Sequence, residues 1–94
     1  MADYKFDGKD LRDRRGIKVG NLDGKHIRDT RRIKVGEIDG KYLRDSYGRK
    51  VGEFDGNVIR DSNGSRIGTM DDVKKIIDGI GGTSLVGMWF FFVR

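Results

Sequence analysis

One sixteen-residue unit recurs four times along this 94-residue chain and constrains its fold more than any other feature. The unit reads D-G-x-x-[LI]-R-D-x-x-x-x-[KR]-[VI]-G-x-[LIFM], and its copies, units one to four, occupy residues 7–70. Asp and Gly at positions one and two, Arg at six, Asp at seven and Gly at fourteen are identical in all copies. The fold must therefore accommodate the same backbone element four times in succession.

Two turn signals divide each unit into short strands. The Asp-Gly pair between apolar runs is typical of a type I′ hairpin turn, in which both central residues have positive φ. The second signal begins at the Asp of position seven and predicts a type I turn closed by a left-handed residue. That closing residue is Gly in three units and Arg32 in unit two. Such frequent turns leave no helical period, so the intervening runs are predicted strands.

Apolar residues at positions five, thirteen and sixteen predict the buried face of the sheet. Positions five and thirteen are always aliphatic and are predicted to pair across the second turn. A β-bulge at the Gly of position fourteen would bring positions thirteen and sixteen to the same face. The predicted fold is all-β, an antiparallel meander of repeated short hairpins. A parallel β-solenoid with one unit per coil is the alternative.

The C-terminal part of this single predicted domain, residues 1–94, is expected to cap the apolar face. Thr69 and Asp72 form a capping-box pattern, and a short helix is predicted over residues 71–80. Residues 83–94 form a hydrophobic aromatic segment, predicted to be a strand or a lid. A dimer interface or a membrane-surface contact are its alternatives, because an exposed segment of this kind would aggregate. The side chains proposed for the lid or for self-association are Leu85, Val86, Met88, Trp89, Phe90, Phe91 and Phe92.

The residues typical of catalysis and metal binding are scarce. The chain has no Cys, and its single histidine, His26, stands at a variable position of the unit. The recurring Asp residues are accounted for by the two turns, and their spacing lacks the EF-hand pattern for Ca²⁺. We therefore expect a protein that is not an enzyme and uses no metal or other cofactor.

Positive charge is concentrated in the first two units. Residues 7–22 and 23–38 each carry five basic and three acidic side chains, whereas residues 55–70 carry two of each. Basic residues at positions six and twelve are expected to face each other on the polar side. Compensation by neighbouring carboxylates is one explanation, and binding of a polyanion such as nucleic acid or an acidic glycan is the other. The candidate residues are Arg12, Arg14, Arg15, Lys18, Arg28, Arg31, Arg32 and Lys34.

The copies "IRDTRRIKVG" and "IRDSNGSRIG", followed by "MDDVKKIIDGIGG", resemble uncharacterised bacterial proteins built from short tandem β-repeats. The resemblance covers residues 7–82 and implies a repeat architecture, but no activity and no site residues. The predicted function is a non-enzymatic structural or interaction module that self-associates, as a homo-oligomer such as a dimer. A monomer with an internal lid is the alternative state, and polyanion binding through the basic units is the alternative function.

The sequence lacks the patterns of a membrane-spanning or secreted chain. The longest apolar run, residues 85–93, is shorter than the roughly 20 residues of a transmembrane helix. The N-terminal residues lack the apolar core of a secretory signal. A cytoplasmic location is the default prediction.

Overall fold

Ten short strands form one continuous sheet in the computed structural model, which describes residues 2–94. The strands are β1 (Tyr4–Phe6), β2 (Asp10–Asp13), β3 (Lys18–Asp23), β4 (His26–Arg28), β5 (Lys34–Asp39), β6 (Tyr42–Asp45), β7 (Lys50–Asp55), β8 (Val58–Asp61), β9 (Arg66–Thr69) and β10 (Ile77–Gly79). Strands β1 to β9 pair antiparallel in chain order, and β10 pairs parallel with β1. The predicted antiparallel meander is therefore confirmed, and the solenoid is excluded.

Two short helices complete the fold. Helix α1 (Met70–Ile76) follows β9, and helix α2 (Thr83–Met88) continues into a π-helical turn, Trp89–Val93. We call α2 and this turn together the C-terminal helix. The predicted capping box is present, because the Thr69 hydroxyl accepts from the backbone N–H of Asp72 and the Asp72 carboxylate accepts from the backbone N–H of Thr69.

The hairpins form at the predicted turns, with a different turn type at Asp-Gly. In the first full hairpin Asp23 pairs with His26, so Gly24 and Lys25 are the central residues. Gly24 has a φ of 66°, and among residues 2–94 Arg32 is the one non-glycine residue with positive φ. Positive φ at the first central residue alone is the pattern of a type II′ turn. The type I′ prediction is wrong because the Asp remains paired in the strand. The Gly is therefore the first central residue of the turn, and the residue after it is the second.

A β-bulge in every unit determines which side chains face inward. Leu11 pairs with Gly20 and the next residue, Arg12, pairs with Lys18, which leaves Val19 as the extra residue. The same shift recurs in the other three units. The bulge was predicted, but the expected pairing of positions five and thirteen is wrong by one residue. Position five instead lies opposite the Gly of position fourteen. Because glycine has no side chain, the sheet leaves room for another group beside each fully buried Leu or Ile.

Four consecutive aromatic rings of the C-terminal helix fill these four spaces. A Cβ atom at Gly52 would lie 3.0 Å from the Phe90 ring, and one at Gly36 would overlap the Phe91 ring. Each glycine meets a different ring, and the helix meets the units in reverse order. The pairs are Gly68 with Trp89, Gly52 with Phe90, Gly36 with Phe91 and Gly20 with Phe92.

The helix geometry requires the sheet to curl around it. Consecutive residues of a helix are roughly a quarter of a turn apart about its axis, so four of them point in four directions. A flat sheet of ten strands at a spacing of about 4.8 Å would be about 43 Å wide, whereas the longest dimension here is 35 Å. Helix α1, seven residues long, also connects the two edge strands, β9 and β10. The sheet therefore wraps the C-terminal helix, and α1 spans its edges.

Two predicted segments differ from the structure in form. The helix predicted over 71–80 ends at Ile76, because Ile77–Gly79 pairs with β1 and completes the hydrogen bonding of that edge. The segment 83–94 is helical and not a strand, because a segment enclosed by the face of the sheet meets no free strand edge and must satisfy its backbone within itself. Leu85, Val86 and Met88 are fully buried there.

Removal of residues 83–94 is expected to unfold the protein or make it aggregate. The deletion takes away the C-terminal helix and exposes the apolar face of the sheet to water. The dispersion of the amide signals in an ¹H–¹⁵N NMR spectrum would report the effect. A truncated chain that stays folded and monomeric would show that the sheet does not need this cover.

Substitution of Gly36→Ala is expected to destabilise the protein by about 1–3 kcal/mol, because the added methyl group displaces the Phe91 ring. Gly68→Ala is the matched control, since its methyl group would lie 3.2 Å from the Trp89 ring and should cost less. Urea denaturation of both variants gives the comparison. In a Phe91→Ala background the Gly36→Ala penalty should disappear, and an undiminished penalty would contradict the proposed contact.

Candidate functional site

The recurring Arg of position six is used by the fold itself. In each unit one of its guanidinium nitrogens donates to the backbone carbonyl of the residue that closes the second turn, at 3.1–3.3 Å. The acceptor is a glycine in three units and Arg32 in unit two. Arg12 and Arg28, both predicted to contact a polyanion, therefore have a structural role that explains their recurrence.

The recurring Asp of position seven is also used locally. One carboxylate oxygen of Asp13 accepts from the backbone N–H groups of Arg15 and Ile17, at 2.9 and 3.0 Å. The same pair of bonds recurs in the other three units. In unit three, the N–H groups of Arg49 and Tyr47 hold the pKa of Asp45 below its usual value. Within residues 2–94 no three His, Asp or Glu side chains are grouped to hold a metal ion.

Ion pairs occupy five of the eight predicted polyanion-binding residues. Lys34 lies 2.9 Å from Glu37, and Lys18 lies 3.4 Å from Asp10. Arg12, Arg14 and Arg28 also lie within 4 Å of a carboxylate. The remaining three, Arg15, Arg31 and Arg32, form no ion pair within residues 2–94. The polyanion site stays a prediction, and sequence alone could not separate compensated from uncompensated charges.

A groove of about 600 Å³ brings several of these residues together on units one and two. Its floor includes the paired residues Asn21 of β3 and Arg28 of β4. Four basic and two acidic side chains line it, which gives the groove a formal charge of +2. The lining residues are Lys9, Lys18, Asn21, Asp23, Arg28, Asp29, Thr30 and Arg32.

The repeat provides an internal comparison for this charge. The equivalent positions one unit later, and again two units later, hold three basic and three acidic side chains, so their formal charge is zero. Two residues account for the difference. Asn21 replaces the Glu that units two and three carry at position fifteen, and Arg32 replaces the Gly of units three and four. Of these three sets of positions, only the one that lines the groove has a positive formal charge.

In unit one the carboxylate that compensates Lys18 is Asp10, which pairs across the strands with Asn21 and does not line the groove. The Asn21 side-chain amide donates to Asp10 at 2.9 Å and to the Lys9 carbonyl at 3.3 Å. The hydrogen bond from Asn21, followed by Lys18, lowers the pKa of Asp10, which therefore remains ionised beside the groove without lining it. In unit two the carboxylate sits at position fifteen instead, where the hydrogen bond from Lys34 chiefly lowers the pKa of Glu37.

The other predicted residues lie away from this groove. His26 is 3.6 Å from Glu37, its cross-strand partner. Within the proposed lid or self-association segment, Trp89 is buried and Phe90, Phe91 and Phe92 are half-buried against the core of the same chain. Sequence reasoning missed Lys9 and Asn21. A comparison of position fifteen between units would have found Asn21, because that residue breaks the Glu pattern.

Arg32→Gly is expected to stabilise the protein by about 1–2 kcal/mol, because Arg32 has a φ of 66° and an L-residue is strained in that region. The melting temperature should rise by several degrees, at about 4–8 °C per kcal/mol for a domain of this size. Arg31→Gly is the control, since Arg31 has an ordinary φ and Gly there only adds freedom to the unfolded chain. Equal losses of stability in both variants would contradict strain at Arg32.

Comparison with known proteins agrees with this architecture. Residues 9–82 match the model of the 4-fold beta flower protein family, a span that includes almost all of the four units together with α1 and β10. No curated protein and no solved structure matches the chain significantly. None of the helices within residues 2–94 has both the length and the apolar character needed to cross a bilayer. This chain belongs to the 4-fold beta flower family, a group of small repeat-like β proteins.

Proposed function

We propose that this protein is a non-enzymatic interaction module that binds polyanions through the groove between units one and two. The observation that carries the proposal is the formal charge of the residues that line this groove, +2, against zero at both sets of equivalent positions. Asp10, 3.4 Å from Lys18, lies beside the lining residues and reduces the local excess to +1, whereas its equivalents His26 and Tyr42 carry no formal charge. The two residues responsible leave the repeated turns and strands in place. A general basic composition would have raised the charge of all three positions, so the difference supports a localised site.

The placement of the basic residues along the groove suits an extended ligand. Lys9 lies in the turn between β1 and β2, and Arg32 lies in the turn between β4 and β5. Consecutive turns of a meander lie at opposite ends of its strands, so these two residues belong to opposite ends. The six-residue strand β3 between them is about 20 Å long. A linear chain of phosphates or sulfates would contact such a row more fully than a single small anion.

The available charges also favour a polyanion. Lys9 and Arg32 form no ion pair within the described chain, so an incoming anion does not have to displace a carboxylate from them. Lys18 and Arg28 have carboxylate partners at 3.4 and 3.6 Å, and both remain accessible from the groove. Binding of this type releases counterions and weakens steeply as the salt concentration rises.

The predicted self-association through residues 83–94 has less support. The large side chains of that segment pack inside the curled sheet of their own chain. This packing supports a monomer with an internal lid over a dimer formed through the segment. The non-enzymatic character rests on the single His and on the use of the recurring Asp residues in turns. A cytoplasmic location, and a bacterial family built from the sixteen-residue unit, remain expectations from the sequence.

The double variant Asn21→Glu/Arg32→Gly is expected to lose retention on heparin and binding to a labelled DNA oligonucleotide. It gives the lining of the groove the zero formal charge of the other two sets of positions, with Thr30 in place of Ser as the one remaining difference. Fluorescence anisotropy across a salt series should also show a smaller slope of log affinity against log salt, by about one for each lost phosphate contact.

Lys74→Ser/Lys75→Ser is the matched control, because it also lowers the net charge by two but changes α1, outside the groove. Binding in this control should fall much less. Equal losses in the two double variants would assign the binding to net charge alone. Undiminished binding by the groove variant would refute the proposed site.

A further inference from the structure

One end of the sheet exposes apolar side chains that its own chain does not cover. The second turns of all four units lie at this end, because alternate turns of a meander share one end. Large hydrophobic residues exposed within residues 2–94 are Ile17, Ile33, Tyr47 and Ile80, and the first three belong to these turns. We call this end the second-turn end. Ile80 lies at the other end, since it follows β10, which runs parallel to β1 towards the first Asp-Gly turn.

Units one and two combine this apolar surface with uncompensated charge. At position eleven they carry Ile17 and Ile33, where units three and four have polar residues. At position nine they carry Arg15 and Arg31, neither of which forms an ion pair within the described chain. Equivalent residues of adjacent units are two strands apart, about 10 Å. Two isoleucines, each more than half exposed, and two free guanidinium groups thus share a small area.

We propose that the second-turn end docks on the surface of an anionic lipid bilayer. Ile17 and Ile33 would enter the boundary between headgroups and acyl chains, and Arg15 and Arg31 would contact the lipid phosphates. A monotopic contact of this kind needs an apolar patch beside basic side chains, and no membrane-spanning segment. Tyr47, exposed at the same end, is a residue type enriched at membrane interfaces.

The alternatives fit these residues less well. A second copy facing this end would bring the arginines of both copies together, while the adjacent Asp13 and Asp29 carboxylates are engaged by backbone N–H groups. A water-soluble polyanion would contact the arginines but would leave both isoleucines in water. An anionic bilayer pairs with the charges and covers the apolar atoms at once. None of these four residues lines the groove, although the groove reaches the second turn of unit two at Arg32.

Co-sedimentation with phosphatidylcholine vesicles, prepared with and without phosphatidylglycerol, tests the proposal. The wild-type protein should bind the vesicles that contain phosphatidylglycerol. Ile17→Ser/Ile33→Ser should weaken that binding at least about tenfold, because the apolar contribution is removed. Ile80→Ser is the matched control, an exposed Ile at the opposite end whose loss should leave binding unchanged. Circular dichroism confirms that each variant is folded.

Further variants separate this surface from the groove. Arg15→Ser/Arg31→Ser should abolish the preference for phosphatidylglycerol, and Asn21→Glu/Arg32→Gly should keep vesicle binding while it loses heparin retention. The proposal is overturned if the wild-type protein does not bind the anionic vesicles, or if Ile80→Ser weakens binding as much as the paired substitution. It is equally overturned if light scattering shows a dimer that Ile17→Ser/Ile33→Ser converts to a monomer, since a second copy would then be the occupant.

Discussion

The contact between four strand glycines and four consecutive aromatic rings is the interaction on which the rest of this structure depends. Each unit buries one aliphatic side chain and leaves a space opposite it, because the paired residue is Gly. An open sheet with such spaces on its apolar face cannot close its own core. The rings of the C-terminal helix fill them, one per unit. A strand would present its side chains in only two directions, whereas a helix distributes them around its axis.

The residues that maintain the repeat differ from those that set the charge of the proposed binding groove. Arg at position six holds the second turn, and Asp at position seven accepts from the backbone N–H groups of that turn. The recurring Arg and Asp are therefore largely engaged in hydrogen bonds that hold the turns of the fold. The features that distinguish units one and two, such as Asn21 and Arg32, are not required by the repeated backbone. These departures from the repeat are where a binding surface can arise without loss of the fold.

Charge compensation explains why composition alone was a poor guide to the candidate site. The chain carries a formal charge of +5, yet most basic side chains of the strands lie close to a carboxylate. In units two and three that carboxylate is the Glu of position fifteen, within the groove positions. In unit one it is Asp10, on the neighbouring strand. This shift takes the carboxylate out of the residues that line the groove, while the local sequence looks almost the same.

The sequence by itself determined the features that depend on neighbours within a few residues. These are the short strands, both turn positions, the presence of a bulge in each unit and the capping box at Thr69, because turn and cap chemistry involves residues two to four apart. The tight turns favoured the meander over the solenoid without excluding the solenoid. The sequence also directed attention to units one and two and to Arg32. The sequence did not determine the exact register of the bulge. Either the residue at position thirteen or the Gly at position fourteen could be the extra residue that has no cross-strand partner.

Only the tertiary structure decided the contacts between distant parts of the chain. The apolar run of residues 85–93 has no clear period, so its helical form follows from its place inside the curled sheet. Helix α1 ends at Ile76 because β1, more than seventy residues earlier, offers a strand partner. Which arginines lack a carboxylate likewise depends on side chains from adjacent strands. Such pairings are set by the packing of the whole domain, and no local pattern encodes them.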